Sequence, residues 1–290
     1  MTISNSVDKS KKEGTLMILL VASNRDIASL SISRQILKNY PFQQSVEEFR
    51  GNSVHKANIN GRLVELVTLN DESVQAQDIA DCFPKVELII FVSRHSSVKG
   101  TPTLSAHTPG NFGEAELGGI AKRVSIAPAN AMRKVLILMH QFRNEMKLAY
   151  EVSYECTHHG PSLDVPAMFA ELGSSIEQWK DEKAAEVVAR ATMCCVSTIS
   201  FSPVPAVLGI GGPHYNAKFT RLALESNLAF GHIIPKHALH MVDVETIRQC
   251  VERTMEEVEF AVLDWKGIKG EDKPRIVQML KLADLPFKKV

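Results

Sequence analysis

Cysteine is scarce and carries no pairing pattern. The five residues Cys82, Cys156, Cys194, Cys195 and Cys250 are odd in number and none stands in C-x-x-C spacing. A zinc ribbon, a thioredoxin-type motif and a disulfide scaffold are thereby excluded. Cys194 and Cys195 fall in an apolar stretch of helical pattern, where thiols act as small buried hydrophobes. Aromatic residues make up only 6% of the chain, too few for a stacking-rich or lectin-like surface. Neither sign of charge dominates, because 33 Lys and Arg balance 33 Asp and Glu. Such a chain has no net field to gather a polyanion, so a nucleic-acid partner must be met by a local patch. No apolar run approaches the ~20 residues that span a bilayer. Residues 1–14 are polar and of mixed charge, without the apolar segment of a signal peptide. These absences predict a protein of the reducing cytoplasm that engages no membrane. H-E-x-x-H, G-x-G-x-x-G, the P-loop and G-x-S-x-G are also missing, which removes the motif support for a thermolysin-like zinc helix, a nucleotide loop and a nucleophile elbow. The segment GIGGPHY at 209–215 comes nearest to a phosphate loop, but Pro213 deletes one of the backbone donors a cradle would use.

A chain of 290 residues, 44% of them hydrophobic, is long enough to bury a sizeable core. After the polar tail at 1–14, order is expected to begin at Leu16 and to form a single α/β domain over 15–290. The continuous apolar run at 16–22 predicts a buried strand that feeds a helix over 27–38, capped at Ser23, Asn24 or Asp26. Further strands are predicted at 62–69, 88–92, 148–156, 167–172, 207–210 and 229–234. Helices are predicted at 128–147, 176–196, 218–226, 244–262 and 273–282, and the segment 93–119 reads as a long polar loop of the functional kind. Strands alternating with helices give an α/β class with a parallel or mixed sheet.

Histidine is where chemistry concentrates. Nine of the ten histidines lie between His95 and His240. His95, the pair His158 and His159, His214, and His232 with His237 each accompany a predicted strand and a Gly- or Pro-containing loop. Ligands of open α/β sheets bind beyond the carboxyl ends of strands, so these imidazoles are expected to converge. Glu155 and Glu171 lie at equivalent positions. Imidazoles meeting a carboxylate suit zinc, which lowers the pKa of bound water and polarises an ester carbonyl. Basic residues gather around the first polar loop (Arg94, Lys99, Lys122, Arg123, Arg133, Lys134) and toward the end (Lys266, Lys269, Lys273, Arg275, Lys281, Lys288, Lys289). They form either solvated faces or contacts to RNA phosphates.

Four segments taken in order, SRHSSVKGTPTLSAHTPGNFGEAELGG, ECTHHGPSLDVPAMFAELGSSIEQWKDEKAA, GIGGPHYNAKFT and FGHIIPKHAL, resemble the motif blocks of the archaeal and plant type of D-aminoacyl-tRNA deacylase, the second type of D-tyrosyl-tRNA deacylase. The likeness extends to LDWKGIKG at 263–270, and it departs from the family pattern at Gly212-Pro213, where Gly-Gly or Gly-Thr is expected before the histidine. The resemblance implies hydrolysis of the ester that joins a D-amino acid to the 3′ end of tRNA. It implies a phosphorylase/hydrolase-like mixed sheet flanked by helices, akin to peptidyl-tRNA hydrolases and zinc exopeptidases. It also implies zinc as cofactor and a monomer without an obligate protein partner. Carried over by motif, His158, His159, Glu171 and His214 are expected at the catalytic centre. Arg94, His95, His107, Gly160, Gly211, Gly212 and Tyr215 are expected against the substrate, and His158, His159, His214, His232 and Glu155 as metal ligands. An activated water would attack the ester with Glu171 or Glu155 as base, and backbone N–H groups around Gly211 or Gly160 would hold the oxyanion. Two other readings use the same residues: a zinc-dependent exopeptidase or amidohydrolase, and a tRNA-binding protein without catalysis.

Overall fold

The structure is a computed structural model that describes residues 17–198 and 204–290. The polar tail at 1–14 and the expected start of order at Leu16 lie outside them. Strand β1 (Met17–Ser23) is buried along its whole length. Successive side chains point to opposite faces of a strand, so Ile18, Leu20 and Ala22 enter the core beneath the helices while Met17, Leu19 and Val21 enter a second core on the reverse face. Two buried faces explain why the run is continuously apolar rather than alternating. Asp26 then caps α1 (Ile27–Asn39) by accepting the Ser29 N–H at 3.0 Å.

β2 (Gln43–Phe49) and β3 (Asn52–Ile59) run antiparallel onto β4 (Arg62–Leu69), which coincides with the predicted strand. Neither β2 nor β3 is predicted from the residue pattern, because β2 is a largely exposed, polar outer strand with no apolar period to read. α2 (Ile79–Cys82), β5 (Val86–Ser96), β6 (Thr103–His107), α3 (Ala129–Glu145), β7 (Glu151–Tyr154) and β8 (Ala167–Ser174) follow. They complete an eight-stranded mixed sheet in the order β2-β3-β4-β1-β5-β8-β6-β7. The expectation of an irregular loop over 93–119 is corrected here. β5 continues to Ser96, and β6 lies fully buried between β8 and β7, its mixed composition tolerated because both neighbours cover it.

The single helix expected over 176–196 is two, α4 (Ile176–Trp179) and α5 (Glu182–Ser197), since Asp181 leaves the helix to accept the N–H groups of Lys183 and Ala184. α5 packs between α1 and α3 over the main sheet. β9 (Ala206–Ile210), α6 (Ala217–Glu225), β10 (Ala229–Ile234), α7 (Val244–Glu252), β11 (Val258–Leu263), α8 (Asp272–Leu282) and β12 (Phe287–Lys289) build a parallel four-stranded sheet ordered β10-β9-β11-β12. The helix predicted over 244–262 is thereby corrected to α7 and β11. Residues 258–263 find ladder partners on both sides in β9 and β12, and tertiary pairing overrides the local pattern.

The residues just after β7 stitch the two sheets together. Asn216 donates its backbone N–H to Tyr154, Cys156 to His214 at 3.0 Å, and Thr157 to Ile233 at 3.0 Å. The ends of β5, β6, β7, β8 and β9 therefore meet at one place. The result is a mixed α/β fold with a central mixed sheet flanked by helices, as the alternation of elements predicts. Among the described residues no helix is long and apolar enough to cross a membrane.

Candidate active site

Strand register assembles the first half of the site. β5 runs beside β8 with Ser93 opposite Glu171, and β6 runs antiparallel on the other side of β8 with Ser105 opposite Glu171. Residues two apart on a strand share a face, so His95, His107 and Glu171 all project from the same side of the sheet. The second half comes from the stitched segment after β7, which carries Glu155, Cys156, His158 and His159, and from the loop after β9, which carries His214 and Tyr215.

Glu155 is the hub and is 2% exposed. Its Oε2 accepts the Nε2–H of His214 at 2.9 Å, its Oε1 lies 3.1 Å from Nδ1 of His95, and Nε2 of His158 stands 3.7 Å from Oε2. Glu171 is buried beside it, with Oε1 receiving the Ser93 hydroxyl at 3.2 Å and lying 3.6 Å from Nε2 of His107. Two buried carboxyls this close cannot both ionise. Burial opposes charge on both, but hydrogen bonds from His214 and His95 hold Glu155 well below the usual carboxylate range. Burial, and then the Glu155 charge, push Glu171 well above that range. His95, although its burial disfavours charge, is drawn above the ordinary histidine value by its contact with Glu155 and by both carboxyls.

Three further imidazoles lie against this pair in the opposite state. His158 donates its Nδ1–H to the Cys156 carbonyl at 2.8 Å, His159 to the Gly160 carbonyl at 2.8 Å, and His107 to the Thr108 carbonyl at 3.3 Å. Those bonds fix the tautomer and leave each Nε2 as a bare lone pair. Burial and mutual proximity keep the rings neutral: His107 falls to about 4, His159 to about 3, and His158 well below its ordinary value. The rings are 4.2–4.9 Å apart between centroids. Nε2 of His107 is buried without any hydrogen-bond partner. Three neutral nitrogens converging within 4.8 Å of one another, each steadied by a carbonyl behind it, make a donor set of the kind zinc takes.

Several expectations are corrected by these contacts. His232 is fully buried with both nitrogens engaged: Nδ1 accepts the Thr157 hydroxyl at 3.1 Å and Nε2–H donates to the Arg253 carbonyl at 3.0 Å. It has no lone pair to give a metal. His214 also has both nitrogens in contacts, Nε2–H to Glu155 and Nδ1 to the Cys156 thiol at 3.3 Å, yet with Cys156 and His158 it forms a second group close enough to hold a metal. Burial and the Glu155 charge push that thiol well up, so it stays protonated and donates. His107, expected against the substrate, joins His158 and His159 instead. Of the expected oxyanion donors, the N–H groups of Gly211 and Gly160 themselves are spent, on the Ile234 carbonyl at 2.8 Å and the Leu117 carbonyl at 2.9 Å. Gly211 and Gly212, at φ +96° and +76°, form the tight turn that delivers His214, and Gly160 gives room for the backbone of Gly118 and Gly119.

Two cavities of about 370 and 480 Å³ meet along Leu117, His158, His159 and His214. The larger holds Glu155, Glu171, His95, Tyr215 and Arg94, the last clamped on both oxygens of Glu72 at 3.0 Å. Tyr215 sets its ring 5.0 Å from His95 and 4.7 Å from His214. Sequence reasoning missed Cys156, Asp26 and Glu72. Cys156 adjoins the expected Glu155 and was within reach of the motif, whereas Asp26 and Glu72 reach the cavity only through the fold.

A mixed α/β protein that gathers neutral imidazoles around a proton-sharing carboxyl pair, open to a cleft, carries an acid–base centre of the hydrolytic type. Similarity to known proteins makes the assignment particular: the chain belongs to the D-aminoacyl-tRNA deacylase family, whose profile matches residues 82–288. It is 38% identical to the D-aminoacyl-tRNA deacylase of Thermococcus kodakarensis over 88% of this chain and 93% of that one. It is 37% identical to that of Pyrococcus furiosus over 93% and 99% of the two chains. The crystal structure of a conserved protein of unknown function superposes with a TM-score of 0.84 at 26% identity, covering 95% of each chain.

Proposed function

We propose that the protein hydrolyses the ester joining a D-amino acid to the 3′ end of tRNA, releasing D-amino acid and free tRNA. Chiral proofreading and tRNA recycling follow from that reaction. The observation that carries the reading is the pair of buried carboxyls, Glu155 and Glu171, set against the converging imidazoles of His107, His158 and His159 at the meeting of two cavities. Paired titratable groups whose environments drive their pKa values apart mark the base and the acid of a site. Its relatives in the family carry the name D-aminoacyl-tRNA deacylase.

His107, His158 and His159 are the residues that would hold zinc through Nε2. Zinc bound there supplies a coordinated water of lowered pKa and polarises the ester carbonyl. The chain's own groups do the rest. Ionised Glu155 accepts the proton of the attacking water, and His214 aims it, oriented in turn by the Cys156 thiol. His95, its proton affinity drawn up by Glu155, steadies the carboxylate it touches. Protonated Glu171 delivers its proton to the departing 3′ oxygen as the acyl C–O bond breaks. A cytoplasmic monomer, with the kinship to peptidyl-tRNA hydrolases and zinc exopeptidases implied by the motifs, completes this reading.

Glu155→Gln and Glu171→Gln test it with matched charged tRNAs. Each variant is expected to keep its circular dichroism and to lose roughly 10²–10⁴-fold in kcat, the range of a lost general acid or base. Undiminished release by both would remove the carboxyl pair from the mechanism.

A further inference from the structure

The two cavities that meet at His158, His159 and His214 offer two ways out, and their charges differ. Four carboxyls, Asp26, Glu72, Glu155 and Glu171, line the larger, and its cations are already engaged, Arg94 clamped on Glu72 and His95 on Glu155, so none is left for a phosphate. Phosphates leaving that way would pass several carboxyls. The smaller cavity carries Glu114 and Glu116 on its rim, and it reaches His237, which it shares with a third cleft of about 560 Å³. That cleft presents Lys236, Lys266 and Lys269 with His240, against Glu271 and Asp272. Lys269 spends its charge on Glu271 at 3.7 Å, and Asp272 lies 3.8 Å from Arg275. Asp264, next in chain to the Lys266 turn, is matched by Lys218. Lys236 and Lys266 are therefore left as exposed cations on ordered turns, Lys236 tethered by its backbone N–H to Gly212 at 2.9 Å.

We infer that the substrate lies across the site in one direction, its aminoacyl group in the cavity that holds Glu155 and Glu171 and its 3′-terminal nucleotides leaving past His237 so that their phosphates cross Lys236 and Lys266. This orientation rests on the proposed function and adds the path of the RNA. It identifies a phosphate-reading cleft from residues that the hydrolytic chemistry does not use. An RNA chain is the occupant the charges select, since single-stranded phosphates at a spacing of one per nucleotide match cations arrayed along a groove.

The test uses the full chain and the double variant Lys236→Ala/Lys266→Ala, whose exposed side chains leave the cores untouched. Binding of uncharged tRNA is followed from low to moderate salt, and turnover of D-aminoacyl-tRNA is measured at one ionic strength. Removing two cations from a single strand's phosphates should make the slope of log K against log salt shallower by about 1.4. KM should rise about tenfold, with the effect carried by KM rather than kcat. Lys236→Arg/Lys266→Arg should restore the slope. Wild-type slope and KM in the alanine variant would overturn the path. A wild-type chain that binds tRNA but cleaves no ester would overturn the proposed function, and the same slopes would still decide the cleft.

Discussion

His232, like His214, has both ring nitrogens occupied by protein partners, and with a hydroxyl and a backbone carbonyl as those partners it serves the fold where His107, His158 and His159 present lone pairs. Burial lowers it from 6.5 to about 4. The unfolded chain therefore binds its proton at a pH where the folded chain does not. Stability contributed by neutral His232 is complete above about 6.5 and falls as the pH drops toward 4. The loss reaches about 3 kcal/mol at most. Denaturant unfolding of the wild type and of His232→Gln between pH 7 and 4 checks this: the variant should be less stable at neutral pH yet shallower in its pH dependence. Parallel curves would show that His232 does not titrate in this way. The same residue marks the limit of sequence reading at this scale. Histidine type and strand-end position select His232 and His158 equally, and only the hydrogen-bond partners, which for His232 lie 21 and 75 residues away, separate a structural imidazole from a ligand.

Elements with a dense or periodic apolar pattern were legible in the sequence, and those without one were not, whatever their burial. β1 and β4 announce themselves by apolar density, whereas outer strand β2 is mostly exposed and β6 hides in a Gly-, Pro- and Ser-rich segment. Register was beyond reach, yet it is register that sets Glu171 between Ser93 and Ser105 and so places it beneath both His95 and His107. The loop after β7 depends on an equally non-local fit. A Cβ at Gly160 would run into backbone atoms of Gly118 and Gly119, which cannot swing aside as a side chain can. Gly160→Ala is expected to cost about 1–3 kcal/mol of stability, typical of overpacking. It should also lower kcat by displacing His158 and His159, readable by thermal unfolding alongside turnover. Wild-type values for both would mean the 118–119 segment yields without moving the site.

As a whole the molecule brings opposed requirements together without net charge. Equal numbers of acidic and basic residues are sorted in space, so the carboxyls concentrate where the ester is expected to sit and exposed lysines line the way out. The junction of two sheets makes this possible, because the segment after β7 belongs to the site while bonding to the second sheet. The most direct test is release of free amino acid from matched D- and L-aminoacyl-tRNA, before and after chelation and again after zinc is restored. Release from the D ester alone, lost on chelation and recovered with zinc, is the predicted result. Equal release from both esters would contradict the assigned substrate. D-selective release that survives complete removal of zinc would contradict the role given to His107, His158 and His159.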